Sequence, residues 1–282
     1  MKANELAALV VVARDAAVAA GEVARRGFRR GVAVEHKGTV DLVTSYDRDS
    51  EALLRERLAA TSFPVVGEEG GGAIDPRAPS ATGFFVDPID GTTNFVHGHP
   101  FWNVSVGLVV DGEPILGVVV APMLGLTWWG YLAEDGTRVA RRRALLRRDD
   151  ALEEEDCRVT KTATFRDSLF ATGFPYDRSK NDNFAAFIAV KKRSQAVRRC
   201  GAAALDLCLV ADGTYDGYWE RRLSPWDLAA GVTLVRAAGG RVTDLDGNEG
   251  VFALGNVIAT NGMIHDELQV ELARVDAEQP IF

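Results

Sequence analysis

The chain has 282 residues, 47% of them hydrophobic, and a formal net charge of −8. That length and apolar content sustain a large core, in one big domain or two fused ones, while the acidic balance argues against a nucleic-acid binder held by phosphate contacts. Three cysteines, Cys157, Cys200 and Cys208, are odd in number and fit no zinc spacing, so they read as buried free thiols of a reducing compartment. Glu5, Asp15 and Glu22 break up the apolar N-terminus. No uncharged run reaches the ~20 residues of a membrane span, and the expectation is a cytoplasmic protein.

From Asn4 to about Arg30, Leu6, Val10, Ala13, Ala17, Ala20, Ala24 and Phe28 recur at helical steps, predicting a helix closed at Gly31. VAVEHKGTVDLVTSYD follows, β-branched and broken by Gly38, and predicts a hairpin or two short strands. A helix over about Tyr46–Ala60 and a strand at Phe63–Val66 come next. The strand ends in Gly67-Glu68-Glu69-Gly70-Gly71-Gly72, a loop with two acids. Another strand, Gly83–Val86, leads to Asp87. Between Phe101 and Tyr131, NVSVGLVV and PILGVVVA flank Asp111-Gly112-Glu113, a hairpin signal, and LTWWGYL follows.

Arg138 to Asp156, RVARRRALLRRDDALEEED, is a basic block followed by an acidic one and predicts a solvated charged helix or loop. Further on, a strand is expected near Ser168–Thr172, helices near Asn181–Val197 and Ala202–Val210, and a strand at Tyr215–Glu220. Ser224-Pro225-Trp226-Asp227 opens a helix: the serine caps it, the proline suits its first turn and the acid complements its dipole. Ala237-Ala238-Gly239-Gly240 closes it. Two strands, RVTD and VIAT, precede a last helix from about Met263.

Four acids, Glu68, Asp87, Asp90 and Asp227, stand where apolar segments begin or end. Carboxylates meeting in a crevice repel one another and raise their pKa values; Mg²⁺, which takes oxygen ligands, removes that conflict. In DPIDGTTN, Asp87 and Asp90 are spaced to face one site, with the Ile89 carbonyl between them as another oxygen donor. Gly91-Thr92-Thr93 then reads as a helix start, whose free N–H groups favour an anion. Cation ligands beside a phosphate cradle suit phosphate-ester hydrolysis. Read singly, Asp227 is a helix-dipole partner, Glu68-Glu69 a solvated loop, and the four histidines structural. Asp244–Glu249 reads as a β-turn, not a calcium loop.

The blocks KGTVDLVTSYD from Lys37, VVGEEG from Val65, VDPIDGTTNFVHGHPFWNVSVGL from Val86 and WERRLSPWDLAAGVTLVRAAGG from Trp219 occur in order with GAAALDLCLVADGTYDGYWE. With them the chain resembles the inositol monophosphatase family of Mg²⁺-dependent, lithium-sensitive phosphatases over nearly its whole length. The resemblance implies an α+β fold, a layered α-β-α-β-α sandwich with mixed, largely antiparallel sheets. It implies one catalytic unit over 1–282, with most metal ligands before about residue 150 and Asp227 with the substrate contacts after it, and a homodimer. Two or three Mg²⁺ are implied: Glu68, Asp87 and the Ile89 carbonyl on the first, Asp87, Asp90 and Asp227 on the second, and Glu68 acting through water on a third.

By the same resemblance Gly91 and Thr92 bind phosphate, and Glu68 and Thr92 position the attacking water. Asp90, the Ala203 backbone, Glu220 and Asp227 face substrate hydroxyls, and Lys37, Asp47 and Glu69 surround them. The implied substrate is inositol monophosphate or a similar polyol phosphate, with histidinol phosphate, fructose 1,6-bisphosphate or a non-catalytic role on RNA machinery as alternatives. Two departures stand out. Ala202 replaces the usual serine or threonine, and Arg138–Asp156 stands where a Gly-rich hairpin is expected.

Overall fold

The computed structural model of the chain describes residues 1–31, 34–37, 41–144, 154–175 and 183–278. In chain order the N-terminal half contains α1 (Ala3–Gly27), β1 (Val34–Lys37), β2 (Asp41–Thr44), α2 (Ser45–Leu58), β3 (Val65–Gly67), β4 (Gly83–Asp90) and the short α3 (Thr92–Val96). Then come β5 (Asn103–Val110), β6 (Glu113–Ala121), β7 (Leu126–Leu132), β8 (Arg138–Ala144) and β9 (Glu154–Asp156). The C-terminal half follows with β10 (Leu169–Thr172), α4 (Phe184–Arg193), β11 (Ala196–Arg198), α5 (Ala203–Ala211) and β12 (Gly217–Glu220). It closes with α6 (Pro225–Ala237), β13 (Arg241–Thr243), β14 (Val257–Thr260) and α7 (His265–Glu278).

Among the described residues, β3 to β9 pair in sequence order as a seven-stranded sheet, and a five-stranded sheet runs β11-β10-β12-β14-β13. The first is antiparallel except at β3/β4; in the second, β10 pairs parallel with both β11 and β12. Side chains alternate across each strand. Phe85 of β4 joins the core under α5 and α6, while Phe84 and Val86 face α1 and α2. A third cluster, with Trp219, Ile258, Val190 and Leu268, packs α4 and α7 on the outer face of the smaller sheet. The layers are therefore α1/α2, large sheet, α5/α6, small sheet, α4/α7, as the resemblance implied.

Small residues set the spacing between the central layers. Gly107 and Gly117 are cross-strand partners on β5 and β6. A Cβ on Gly107 would sit 2.5 Å from Ala229 Cβ, and one on Gly117 would sit 2.3 Å from the Ala230 carbonyl oxygen. The backbone of α6 thus rests directly on the sheet, which places the N-terminus of α6 at the end of the strands.

The hairpin at Asp111-Gly112 forms as expected, with φ of 50° and 79°, the left-handed pair of a type I′ turn. Four expectations need correction. Helix α1 stops at Gly27, where the Tyr46 ring occupies the side-chain space, and Arg29 turns left-handed. Strand β4 does not stop at Val86 but runs to Asp90, its register with β5 shifting between Asp87 and Asp90. The helix expected over Asn181–Val197 ends at Arg193 because β11 pairs with β10; residues 181 and 182 lie outside the described residues.

The fourth is the charged segment, whose described parts are strands. Arg141, Arg142 and Arg143 of β8 face Asp156, Glu155 and Glu154 of β9. Ion pairs join Arg141 to Glu154 at 3.1 Å and Arg142 to Glu155 at 2.7 Å. Arg142 also reaches the buried Asp212 at 3.0 Å, which accepts from Trp128 Nε1 at 3.0 Å. Among the described residues, Arg141 and Arg142 pair with acids across this edge or with Asp212. Residues 145–153 lie outside the described residues.

His265, buried at the start of α7, contacts the Thr243 and Thr260 hydroxyls at 3.0 Å each. Burial, and then Arg241, push its pKa down to about 4. The unfolded chain takes up a proton near pH 6.5 that the folded one refuses, so stability is lost as pH falls from about 6.5 toward 4, by up to about 3 kcal/mol. Urea melts at pH 7, 5.5 and 4.5 check this: a His265→Gln variant loses this part of the acid sensitivity.

Candidate active site

At the end of β4 the Asp87 carboxylate is 2% exposed and accepts from the Ile89 N–H at 2.9 Å. Gly91 then takes φ 92°, which glycine adopts without strain, and α3 begins at once. Its five residues are held by Phe95, which meets Trp102 edge-on at 5.2 Å, and by Asn94, whose Nδ2 donates to the Phe101 and Cys200 carbonyls at 2.7 and 2.8 Å. Thr92 Oγ1 donates to the Ile89 carbonyl at 3.0 Å and lies 3.4 Å from Asp47 Oδ1. Asp47 in turn caps α2, accepting from the Thr44 N–H and hydroxyl at 2.8 and 2.6 Å.

Asp90 is the junction between the two halves. Asn103 Nδ2 donates to it at 2.7 Å, and the Ala203 and Ala204 N–H groups donate at 3.2 and 2.8 Å. Ala202 is the N-cap of α5 and offers no side-chain cap; a carboxylate from a distant strand does that work instead. This answers the Ala202 departure, because the orphan donors of a helix start need an acceptor whatever its source.

Asp227, in the first turn of α6, accepts from the Ser224 N–H at 2.8 Å. Glu68 follows β3, its own N–H donating to the Val86 carbonyl at 3.3 Å. Glu220, at the end of β12, receives the Tyr218 phenol.

The carboxylates feel one another. Burial first, then Glu68, Asp90 and Asp227, push the Asp87 pKa well up. Burial, then Asp90 and Glu68, do the same to Asp227. Asp90 is also raised by burial, although its hydrogen bonds act against the shift. Glu220 is pushed up to about 7 by burial, with the Tyr218 hydrogen bond and the Arg199 charge opposing. The structure thus brings Glu68, Asp87, Asp90 and Asp227 into one field, with Glu220 beside Asp90.

Among the described residues, no three such side chains already stand at metal-holding spacing. Asp87, Asp90 and Asp227 are each turned toward hydrogen-bond donors of the chain. The donor set still fits a hard divalent cation: it is all oxygen, Asp87 and Asp90 are buried, and burial first, then neighbouring carboxylates, disfavour the charges of Asp87 and Asp227, a conflict a cation would relieve. Lys37 lies on β1, with its side chain outside the described residues.

Sequence reasoning gave no role to Asn103 or Glu51. Asn103 did leave a signal, an amide heading the apolar strand NVSVGLVV. Glu51, one turn past Asp47 on a charged helix, had none. The three cysteines are free; Cys157 and Cys208 are buried as expected, whereas Cys200 is only half-buried. Among the described residues no helix is long and apolar enough to cross a membrane.

The model of the inositol monophosphatase family matches residues 5–277. The inositol-1-monophosphatase of Synechocystis sp. is 37% identical over 96% of this chain and 90% of its own. A putative Nus factor SuhB of Neisseria meningitidis serogroup B is 36% identical over 82% of this chain and 84% of its own. The solved inositol monophosphatase of Anabaena (Nostoc) sp. PCC 7120 superposes with a TM-score of 0.79 at 35% identity, covering 96% of this chain and 97% of that one. The carboxylate field at the end of β4 therefore sits in a chain that belongs to the inositol monophosphatase family, as a phosphoric monoester hydrolase of that kind.

Proposed function

We propose that the chain hydrolyses inositol monophosphate, or a similar polyol phosphate, to the free alcohol and inorganic phosphate with Mg²⁺ as cofactor. The carrying observation is the shared field of Glu68, Asp87, Asp90 and Asp227 beside the Gly91 turn. Two or three Mg²⁺ would be held by Glu68, Asp87, the Ile89 carbonyl, Asp90 and Asp227. When bound, they supply acidity to water at neutral pH and positive charge to the leaving oxygen.

The chain's own residues do the positioning. The Gly91 and Thr92 N–H groups cradle the phosphate. Glu68 and the Thr92 hydroxyl orient the attacking water, the hydroxyl held in place by Asp47 and the Ile89 carbonyl. An O–P bond forms from that water, the ester P–O bond breaks, and a proton goes to the departing alkoxide. Asp90, Asp227, the Ala203 backbone and Glu220 receive the substrate hydroxyls; Glu220 is steadied by Tyr218. Lys37, Asp47 and Glu69 surround this set. A homodimer in the cytoplasm, with no membrane or nucleic-acid partner, completes the proposal.

Thr93-Asn94-Phe95 after DPIDGT resembles the inositol branch, whereas the nucleotide-phosphatase branch tends to carry Lys-Glu-Phe there, which speaks against a 3′-phosphoadenosine substrate. Phosphate release with and without Mg²⁺ tests the reading on inositol 1-phosphate, glycerol 2-phosphate, fructose 1,6-bisphosphate, histidinol phosphate and 3′-phosphoadenosine 5′-phosphate. Fastest Mg²⁺-dependent release from inositol 1-phosphate is expected. A different preferred substrate would overturn the branch and keep the site chemistry. The folded protein is also expected to melt higher with Mg²⁺, by the equivalent of roughly 2.7 kcal/mol at a hundredfold excess over the dissociation constant. No release from any substrate, with no shift in melting, would overturn the enzyme reading. It would favour the second one, a non-catalytic binding role on RNA machinery; the Neisseria relative carries the name putative Nus factor.

A further inference from the structure

We infer that Glu51 and Arg55 of α2 form a clamp that shapes the Gly67–Gly71 loop and thereby positions Glu68 for its metal. The inference rests on the role proposed above for Glu68 but adds two residues to which that reading gives nothing to do.

Glu51 is 3% exposed, a burial that a carboxylate tolerates only when fully bonded. Its Oε2 accepts from the Glu69 N–H at 2.7 Å. Its Oε1 accepts from the Gly70 N–H at 2.9 Å and from Arg55 Nε at 2.8 Å. Arg55 then extends the grip with its other two nitrogens, donating to the Val65 carbonyl at 2.9 Å and the Gly71 carbonyl at 2.5 Å. Two side chains one helical turn apart thus hold the loop at its entry, its crest and its exit. The loop closes on itself through the Gly67 N–H and the Gly71 carbonyl at 2.9 Å. Glu68 is the residue between these holds, and its backbone is tied to β4 at Val86.

The glycines record the same fit. A Cβ on Gly67 would lie 2.3 Å from Glu51 Cδ, and one on Gly70 would lie 2.7 Å from Glu51 Oε1. The Glu51 carboxylate occupies the space that side chains at those positions would need. The Gly-Glu-Glu-Gly pattern is therefore the imprint of a buried acid, and does not by itself signal a flexible loop.

The chemistry requires a carboxylate. Two backbone donors address its two different oxygens, and a guanidinium shares one of them. An amide keeps one oxygen and turns its NH₂ toward a donor, so Glu51→Gln loses a loop bond and the partner charge of Arg55 while keeping the volume. Residues that orient metal ligands typically change metal affinity 10–100-fold when mutated.

The test compares Glu51→Gln, Arg55→Gln and Glu68→Gln in the full chain, reading half-saturating Mg²⁺ and turnover for phosphate release. It also reads the amide hydrogen exchange of residues 67–71 in the metal-free protein. For Glu51→Gln, half-saturating Mg²⁺ is expected to rise about tenfold or more, with faster exchange at Glu69 and Gly70 and a substrate KM at saturating Mg²⁺ within about twofold of wild type. Arg55→Gln is expected to move in the same direction by less.

A folded Glu51→Gln variant with wild-type Mg²⁺ dependence overturns the positioning role. If Glu51→Gln fails to fold, Arg55→Lys, which keeps the charge and loses the fork, is read in the same way: an unchanged Mg²⁺ requirement and exchange overturn the clamp. Wild-type turnover by Glu68→Gln would instead remove the role of Glu68. The exchange at Glu69 and Gly70 would then still decide whether the clamp shapes the loop.

Discussion

Replacing Asp90 by Asn is expected to lower turnover on the order of a thousandfold, about 4 kcal/mol of transition-state stabilisation, while the protein stays folded. Asp90 accepts from Asn103 and from the first two N–H groups of α5, and Asn offers a single acceptor oxygen for those donors. It also lacks the negative charge that a second Mg²⁺ would require. Against the loss of stability runs a gain: the buried, mutually repelling carboxylates around Asp87 lose one member. The two effects oppose each other, so the metal-free melting temperature moves little and the Mg²⁺-induced rise in melting shrinks. Turnover near wild type would refute the assignment of Asp90 to the metal set. Loss of folding would place its main role in joining β4 to α5.

The second large effect is on stability. Gly117→Val is expected to destabilise the protein by roughly 3 kcal/mol or more, because the new side chain meets the backbone of α6 and no flexible tip can yield. For a chain of this size that corresponds to a fall in melting temperature on the order of 6–12 °C. The same displacement moves α6, whose first turn carries Asp227, so the Mg²⁺ requirement should rise as well. Gly250→Ala is the control: nothing lies within 4 Å of its added Cβ, and a change of no more than ~0.5 kcal/mol is expected. Equal melting of the two variants would show that the sheet and α6 do not rest on each other as described.

Several features were legible in the residues because their causes are local. The apolar spacing of α1, the Asp111-Gly112 turn and the Ser224-Pro225 start of α6 follow from backbone sterics and capping, which a few neighbouring residues decide. The DPIDGTTN string announced its turn and helix in the same way. What misled was also local. The dense charges from Arg138 to Asp156 read as solvated helix or loop, since cross-strand partners up to 15 residues apart cannot be assigned before the register of β8 and β9 is known. Asp87-Pro88 read as a stop, although a register shift lets β4 continue to Asp90.

By itself, then, the sequence determined the chemistry available to this protein: which acids stand at apolar boundaries, where glycine permits a left-handed turn, and which helix carries an acid in its first turn. The tertiary structure alone decided which of these meet. Asp227 reaches Asp87 and Asp90 because glycines on β5 and β6 let α6 lie against the sheet. Asp90 caps α5 because β4 ends beside it, and Glu51 shapes the Glu68 loop because α2 packs against β4. The physical reason is range. Capping and turn preferences act over a few residues. Burial is decided only when distant faces close on one another, and it is burial that turns separate acids into one interacting field.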